Sequence, residues 1–372
     1  MMKKYAWYFP NWHVDAINEK WHGKGWTEWE VVKVAHPRFE GHLQPKKPLW
    51  GYEDESDPKV FEKKIAYAKK YGVDGFIFDF YWLCDLGRYR INALEKGFLG
   101  ARNADDCEFG VMWCNHNPIF AHPSPFFEGA RTLANGANID EKFWREVTDY
   151  CIENYFPRKN YIRIDGKVYF GIWNLVNMIK SFGSAEKFGE MINDFRKRAR
   201  EKGFEVDIEF CCNGIDGFWE DDREKVNSLI KKCGIDGVFC YNWKTPLGTE
   251  FPHLSYEKFR EFNTAEYPTT TALFDVPLNI TVSTGWDPSP RTVQSDMYLE
   301  EAGYPFSHII DGNTPGEIEK SFAAAKAFID SGKCTSNYMT LSTWNEWTEG
   351  NYFEPDELYG EGYLEALKKV FG

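Results

Sequence analysis

The chain has 372 residues, 43% hydrophobic and 27% charged, which is enough apolar material for a large buried core. A net charge of −13 argues against nucleic acid or an anionic membrane surface as a partner. No run approaches the roughly 18 consecutive apolar residues that a membrane span requires.

The opening Met1-Met2-Lys3-Lys4 is basic, but Pro10, Asn11 and His13 cut the apolar run that follows, leaving it too short for a signal peptide. A cytoplasmic location is expected. The nine cysteines agree: an odd number, mostly inside apolar strand-like runs, they read as buried free thiols of a reducing compartment. No Cys-x-x-Cys pair is present, so a cysteine-built zinc site is not expected.

Short apolar runs rich in β-formers recur along the chain. They are Tyr5–Phe9, Gly75–Phe80, Phe109–Cys114, Val168–Trp173, Val206–Cys212, Gly237–Tyr241, Asn279–Ser283 and Tyr338–Thr343. Several are continuously hydrophobic, as parallel strands covered on both faces are. Between them lie amphipathic stretches with helix start signals. Asp57-Pro58 precedes Val60, Phe61, Ile65 and Ala68, with Gly72 as the stop; Thr314-Pro315 and Asp140 begin similar patterns. Phe188 to Ala199 and Val226 to Cys233 also read as helices. Eight strands alternating with helices predict an α/β fold, a (β/α)8 TIM barrel forming one catalytic domain over 1–372. The glycine motifs of a nucleotide-binding open sheet are absent, and no cofactor is expected. Two irregular stretches, Asn11 to Asp57 and Asn115 to Asn138, follow strand ends, where barrels place their active sites.

At nearly every strand end an aromatic residue sits beside an Asn, Asp or Glu. Tyr8 ends the first strand, and Asp79, Tyr81 and Trp82 the second. Asn115 and His116, Trp243, and Trp286 with Asp287 follow later ones. A barrel gathers these groups into one ring, where amides and carboxylates bond hydroxyls and aromatic faces cover sugar C–H surfaces. Asn and Asp also end strands simply because they favour turns. The sharpest cluster is Asn345-Glu346-Trp347-Thr348-Glu349-Gly350 after the eighth strand. Glycoside cleavage commonly needs one carboxylic acid and one carboxylate, and Trp344 and Trp347 are placed to desolvate one of the two glutamates. By spacing alone, both glutamates equally suit the first turn of a short helix.

Several segments in order along the chain resemble the glycoside hydrolase family 99-like proteins of the WbsX type. These are Tyr5 to Pro10, Gly23-Lys24-Gly25-Trp26-Thr27-Glu28-Trp29, Gly41-His42-Leu43-Gln44-Pro45 and Asp57-Pro58. Tyr71 to Phe76, Trp113 to Asn117, Gly285-Trp286-Asp287 with Pro290-Arg291, Gly312 to Pro315, Trp344 to Gly350 and Glu354-Pro355 complete the set. The resemblance implies a (β/α)8 barrel and kinship with endo-α-mannosidases, which cleave α-mannosidic bonds with retention. It implies Glu349 as general acid/base, and Glu346 as the base that takes the proton of a substrate 2-hydroxyl, so that this oxygen attacks the anomeric carbon. Two departures fall in the expected cleft. His116 stands where many relatives carry Glu, and Trp286-Asp287-Pro288-Ser289-Pro290 replaces the commoner sequence after the Trp.

Trp26 and Glu28 lie in the long first loop; Glu28 suits either a sugar contact or a structural role in that loop. His22, His42 and His116 lack the spacing of a known metal set, and no metal is expected. The expected partner is an oligosaccharide or polysaccharide. Three functions fit: a retaining glycosidase, a glycosyltransferase of O-antigen-like polysaccharide assembly, and a non-catalytic carbohydrate-binding barrel.

Overall fold

The computed structural model describes residues 2–118, 134–214 and 223–372. Much of the second irregular stretch expected from the sequence lies outside the described residues. The strands of the barrel are β1 (Lys3–Tyr8), β2 (Gly75–Leu83), β3 (Glu108–Trp113), β4 (Lys167–Ile172), β5 (Val206–Cys211), β6 (Gly237–Phe239), β7 and β8 (Tyr338–Ser342). Strand β7 comes in two pieces, Leu278–Asn279 and Thr281–Ser283, broken at Ile280.

That break closes the ring. The first piece pairs in parallel with β6, Leu278 opposite Val238, and the second with β8, Thr281 opposite Thr340. Strand β8 then pairs with β1 and β1 with β2, so the parallel order runs around the barrel and back. Nine hydrogen-bonded strand segments thus fill eight positions of a nearly closed barrel. Strand β2 runs three residues past its expected end, because Tyr81–Leu83 pair antiparallel with Gly87–Tyr89 in a hairpin that rises over the barrel mouth.

The helices form where their caps predicted. Asp57 accepts from the Lys59 N–H to start α1 (Pro58–Tyr71), and Gly72 ends it in the left-handed region at φ 80°. Asp140 caps α2 (Glu141–Asn154), and Thr314 caps α3 (Pro315–Asp330). Within the long first loop two short helices appear, Ala16–His22 and Trp29–Lys33, which sequence periodicity did not reveal.

Strand alternation divides the core in two. On β1, Tyr5 and Trp7 face the barrel interior, where Tyr5 meets Tyr338 (ring centroids 5.4 Å) and Trp7 meets Phe239 and Tyr241 (4.7 and 5.5 Å). Tyr8 faces outward onto Phe61 of α1. At the mouth the ends of β8 and β1 are stitched by Asn345: its Nδ2 donates to the Phe9 carbonyl and its Oδ1 accepts from the Phe9 N–H, each at 2.9 Å.

Candidate active site

The C-terminal ends of the strands surround a cavity of about 700 Å³. Its walls include Phe9, Tyr81, Trp173, Trp243 and Trp286, and its polar groups include Asp79, Asn242, Arg291, Glu346 and Glu349. Trp7 lies under Tyr241 as part of the packed floor.

Both glutamates reach this cavity through a tight local turn. Residues Asn345–Glu346 pair antiparallel with Asn351–Tyr352, and the reversal is made by the single 3₁₀ turn Trp347–Glu349. Gly350 closes the turn at φ 60°, a conformation that costs any other L-residue energy. The turn puts Glu346 and Glu349 on the side facing the cavity. It turns Trp344 and Trp347 the other way, where both indole N–H groups donate to Glu354 at 2.9 Å. The tryptophans expected to desolvate a catalytic glutamate therefore serve a buried structural carboxylate instead. Glu354 is further ion-paired to Lys64.

Arg291, in the turn after Trp286-Asp287, holds the two glutamates together. Its Nη2 lies 3.1 Å from Glu346 and 3.3 Å from Glu28, and its Nη1 pairs with Glu349 and Tyr304. Tyr241 bridges the other side, its hydroxyl 2.8 Å from Glu346 and 2.9 Å from Asp79. Tyr304 donates to Glu349 at 2.7 Å.

Among the described residues, four carboxyl groups (Asp79, Glu28, Glu346, Glu349) thus meet two guanidinium groups, Arg291 and Arg90, all buried. Burial penalises the uncompensated charge. It pushes Glu349 up to about 8, against the pull of Arg291 and with the help of Glu346. Burial also raises Glu346, opposed by Arg291 and the Tyr241 hydroxyl. Asp79 is pushed well above the carboxylate range, by burial first and then by Glu346.

Of the residues expected from the sequence, Asp79, Tyr81, His116, Trp243, Trp286, Glu346 and Glu349 line this one cavity. The others do not. Tyr8 packs outward and accepts from Lys64 at 3.1 Å, and Trp82 on the outer face of β2 packs against Tyr150. Trp26 stacks on His22 (4.1 Å) away from the cavity. Glu28 sits behind Arg291 and accepts from Asn11 at 2.5 Å and from Thr348. Asn115 is spent on the Asn174 backbone, donating and accepting at 2.7 Å, and Asn345 on Phe9. Trp347 stacks on Tyr352 at 3.7 Å. Asp287 faces a second hollow of about 620 Å³, where it bonds His42 (2.8 Å), Gln44 (2.7 Å) and Lys46 (3.3 Å).

Sequence reading singled out neither Arg90 nor Tyr304, and it met Arg291 only within the resemblance. Arg90 is a buried cation at φ 59° whose guanidinium lies 4.6–5.0 Å from the ring centres of Phe9, Tyr81 and Tyr89. Nothing local in the sequence marks it; the hairpin after β2 delivers it. Among the described residues no cluster of three or more His, Cys, Asp or Glu gathers as a metal site.

The strands and helices define a TIM barrel, with the carboxyl groups of Glu346 and Glu349 beside each other at the strand C-termini. Residues 4–367 match the family model described as Glycosyltransferase WbsX, and the chain belongs to that family. Curated relatives include the uncharacterized protein WxcX of Xanthomonas campestris pv. campestris strain B100, 23% identical over 98% of this chain. The same protein of strain ATCC 33913 matches equally, at 23% identity. The chain spans about half the length of these relatives (49%). Among solved structures, the fold matches the GH99 endo-alpha-mannosidase from Bacteroides thetaiotaomicron with a TM-score of 0.57 at 15% identity, over 99% of this chain and 95% of that one. A protein described as glycoside hydrolase-like matches with a TM-score of 0.58 at 15% identity, over 100% and 94% of the two chains.

Proposed function

We propose that this chain is a retaining glycoside hydrolase acting on an α-linked, mannoside-like glycan, with residues 1–372 working as one catalytic unit. The observation that carries this reading is the shared placement of Glu346 and Glu349 on one aromatic-walled cavity, bridged by Arg291. Glu349, protonated at neutral pH, donates its proton to the leaving glycosidic oxygen. Glu346, held by Arg291 and Tyr241, takes the proton of the sugar 2-hydroxyl while that oxygen displaces the leaving group at the anomeric carbon. Water then opens the anhydro-sugar, Glu349 taking its proton and Glu346 returning one to the 2-oxygen, so the anomeric configuration is retained. The flat faces of Trp173, Trp243 and Trp286 suit the C–H surfaces of pyranose rings. The acidic net charge suits a neutral glycan better than nucleic acid. Among the described residues no helix is long and apolar enough to cross a membrane. The odd number of cysteines, nine, suits a reducing, cytoplasmic setting.

The family description favours a second reading, a glycosyltransferase of polysaccharide assembly. One screen separates the two. Wild type, Glu346→Gln and Glu349→Gln are incubated with α-mannosides and other oligosaccharides, and separately with nucleotide-sugar donors. Hydrolysis that falls at least about a hundredfold in either amide variant supports the hydrolase. Turnover seen only with a nucleotide-sugar donor overturns it in favour of the transferase. Glycan binding without turnover, little altered by either change, leaves a non-catalytic carbohydrate-binding barrel.

A further inference from the structure

The Tyr241 hydroxyl lies within hydrogen-bond distance of two carboxyl groups at once, Glu346 at 2.8 Å and Asp79 at 2.9 Å. A phenol carries one proton and can donate to only one of them. The second contact is a hydrogen bond only if that carboxyl is itself protonated and donates to the phenol oxygen. The geometry therefore asks for one acid and one carboxylate on opposite sides of Tyr241.

The charges nearby decide which is which. Glu346 is ion-paired to Arg291 at 3.1 Å. Among the described residues no cationic nitrogen lies within ion-pair distance of Asp79, and its other oxygen, Oδ1, has no hydrogen-bond partner. The groups facing Asp79 are Tyr241, Glu346, Glu349, Arg90, Tyr81 and Cys114; those facing Glu346 are Arg291, Tyr241, Glu28, Glu349, Tyr304 and Asp79. Arg90 spreads its guanidinium over aromatic rings rather than onto the Asp79 carboxyl. The one direct ion pair sits on Glu346.

We propose that Asp79 is a neutral carboxylic acid that donates through Tyr241, so that the phenol donates in turn to an ionised Glu346. Asp79 is then a positioning residue: it fixes the rotor of the Tyr241 hydroxyl toward Glu346 and stabilises the anion on it. Burial and the neighbouring Glu346 act in the same direction on Asp79, favouring its protonated form. With the Asp79 proton on Oδ2, Oδ1 is the carbonyl oxygen of a neutral acid, which is less costly to leave buried without a partner than a carboxylate oxygen is. The chain of three residues explains how a buried glutamate stays ionised beside a second glutamate that stays protonated. The mechanistic use made of Glu346 rests on the hydrolase reading above; the protonation pattern does not.

The pattern is read without substrate, by infrared difference spectroscopy at neutral pH. Wild type minus Asp79→Asn is expected to show loss of the carbonyl stretch of a protonated carboxylic acid, and wild type minus Glu346→Gln the loss of carboxylate bands. The reverse assignment, or carboxylate loss in both, overturns the proposal. Tyr241→Phe, which keeps the ring packing, provides a second variant. It is expected to raise the acid-side midpoint of kcat/KM by about one pH unit, a tenfold change in Glu346 ionisation. Asp79→Ala moves that midpoint the same way and Asp79→Asn, whose amide still donates to Tyr241, restores it. A downward move in Asp79→Asn means that Asp79 carried a charge, and sinks the proposal. Absence of hydrolysis in the wild type would defeat the hydrolase reading while leaving the infrared result to decide the protonation pattern.

Discussion

Arg291 touches both glutamates with different nitrogens, Nη2 to Glu346 at 3.1 Å and Nη1 to Glu349, and does so from a position only 4% exposed. A forked guanidinium can serve two carboxyl groups in this way; a lysine ammonium is a single point charge. Arg291→Lys should therefore lose at least tenfold in kcat/KM, and Arg291→Ala at least about a hundredfold. Removing one partner of a buried ion pair also costs about 3–5 kcal/mol of stability. Urea denaturation should show that cost at pH 7.5 and less of it at pH 5, where the orphaned carboxyl groups can protonate. Equal loss at both values would count against the ionic account.

The pH profile of kcat/KM should be bell-shaped. The acid limb lies above the ordinary glutamate value of 4.5, because Glu346 must be ionised and its folded value is raised. The alkaline limb lies near 8, because Glu349 must hold its proton. Glu349→Gln with an activated leaving group, which needs no acid, should abolish the alkaline limb of the remaining activity. A wild-type profile flat to pH 9 would contradict the assignment.

Stability should follow the same residue. Folding raises Glu349 from 4.5 to about 8, so the folded state favours its neutral form. The stabilisation is fully present below 4.5 and is lost as pH rises through 8. Glu349→Gln removes that titration, and its urea midpoint should fall less than that of wild type between pH 5 and 8. Parallel curves would refute the linkage.

Asp287 behaves in the opposite sense. It is fully buried, yet Lys46 and His42 outweigh the burial and hold its carboxyl well below the usual range. Its contribution is present above the ordinary aspartate value of 3.8 and is lost as pH falls through the folded value. Asp287→Asn should cost about 3–5 kcal/mol at pH 7, measured by denaturant unfolding, and the gap to wild type should narrow in acid.

Gly350 ends the turn that presents the glutamates. A Cβ there would lie 2.6 Å from Asp287 Cβ and 2.7 Å from Lys46 Nζ, in a backbone held at φ 60°. Gly350→Ala combines a left-handed penalty of about 1–2 kcal/mol with overpacking of about 1–3 kcal/mol. Thermal unfolding should register the sum, and kcat should fall because the adjacent Glu349 is displaced. A neutral outcome in both would show that the turn relaxes freely.

Trp286 offers its ring to the cavity while its indole N–H is fixed to Ser307 at 2.8 Å. If it is a sugar platform, Trp286→Ala should raise KM about tenfold or more, in line with about 1.5 kcal/mol lost per aromatic contact. An unchanged KM would assign Trp286 to packing alone.

The sequence by itself determined the barrel. Eight apolar β-runs, the caps Asp57, Asp140 and Thr314, and the Glu346 to Gly350 cluster are local patterns, and local patterns survive without coordinates. Tertiary structure decided which side chains at the strand ends face the cavity. On β2, Asp79 and Tyr81 point in and Trp82 points out, and on β1 the alternation sends Tyr8 outward: one residue of register separates a cavity wall from a helix contact. It also decided the electrostatics. Arg291 lies 55 residues from Glu346 and Tyr241 lies 105, and only closure of the ring puts both on the same carboxyl group. Burial and charge pairing are properties of that three-dimensional assembly, so no spacing in the chain could show which glutamate keeps its proton.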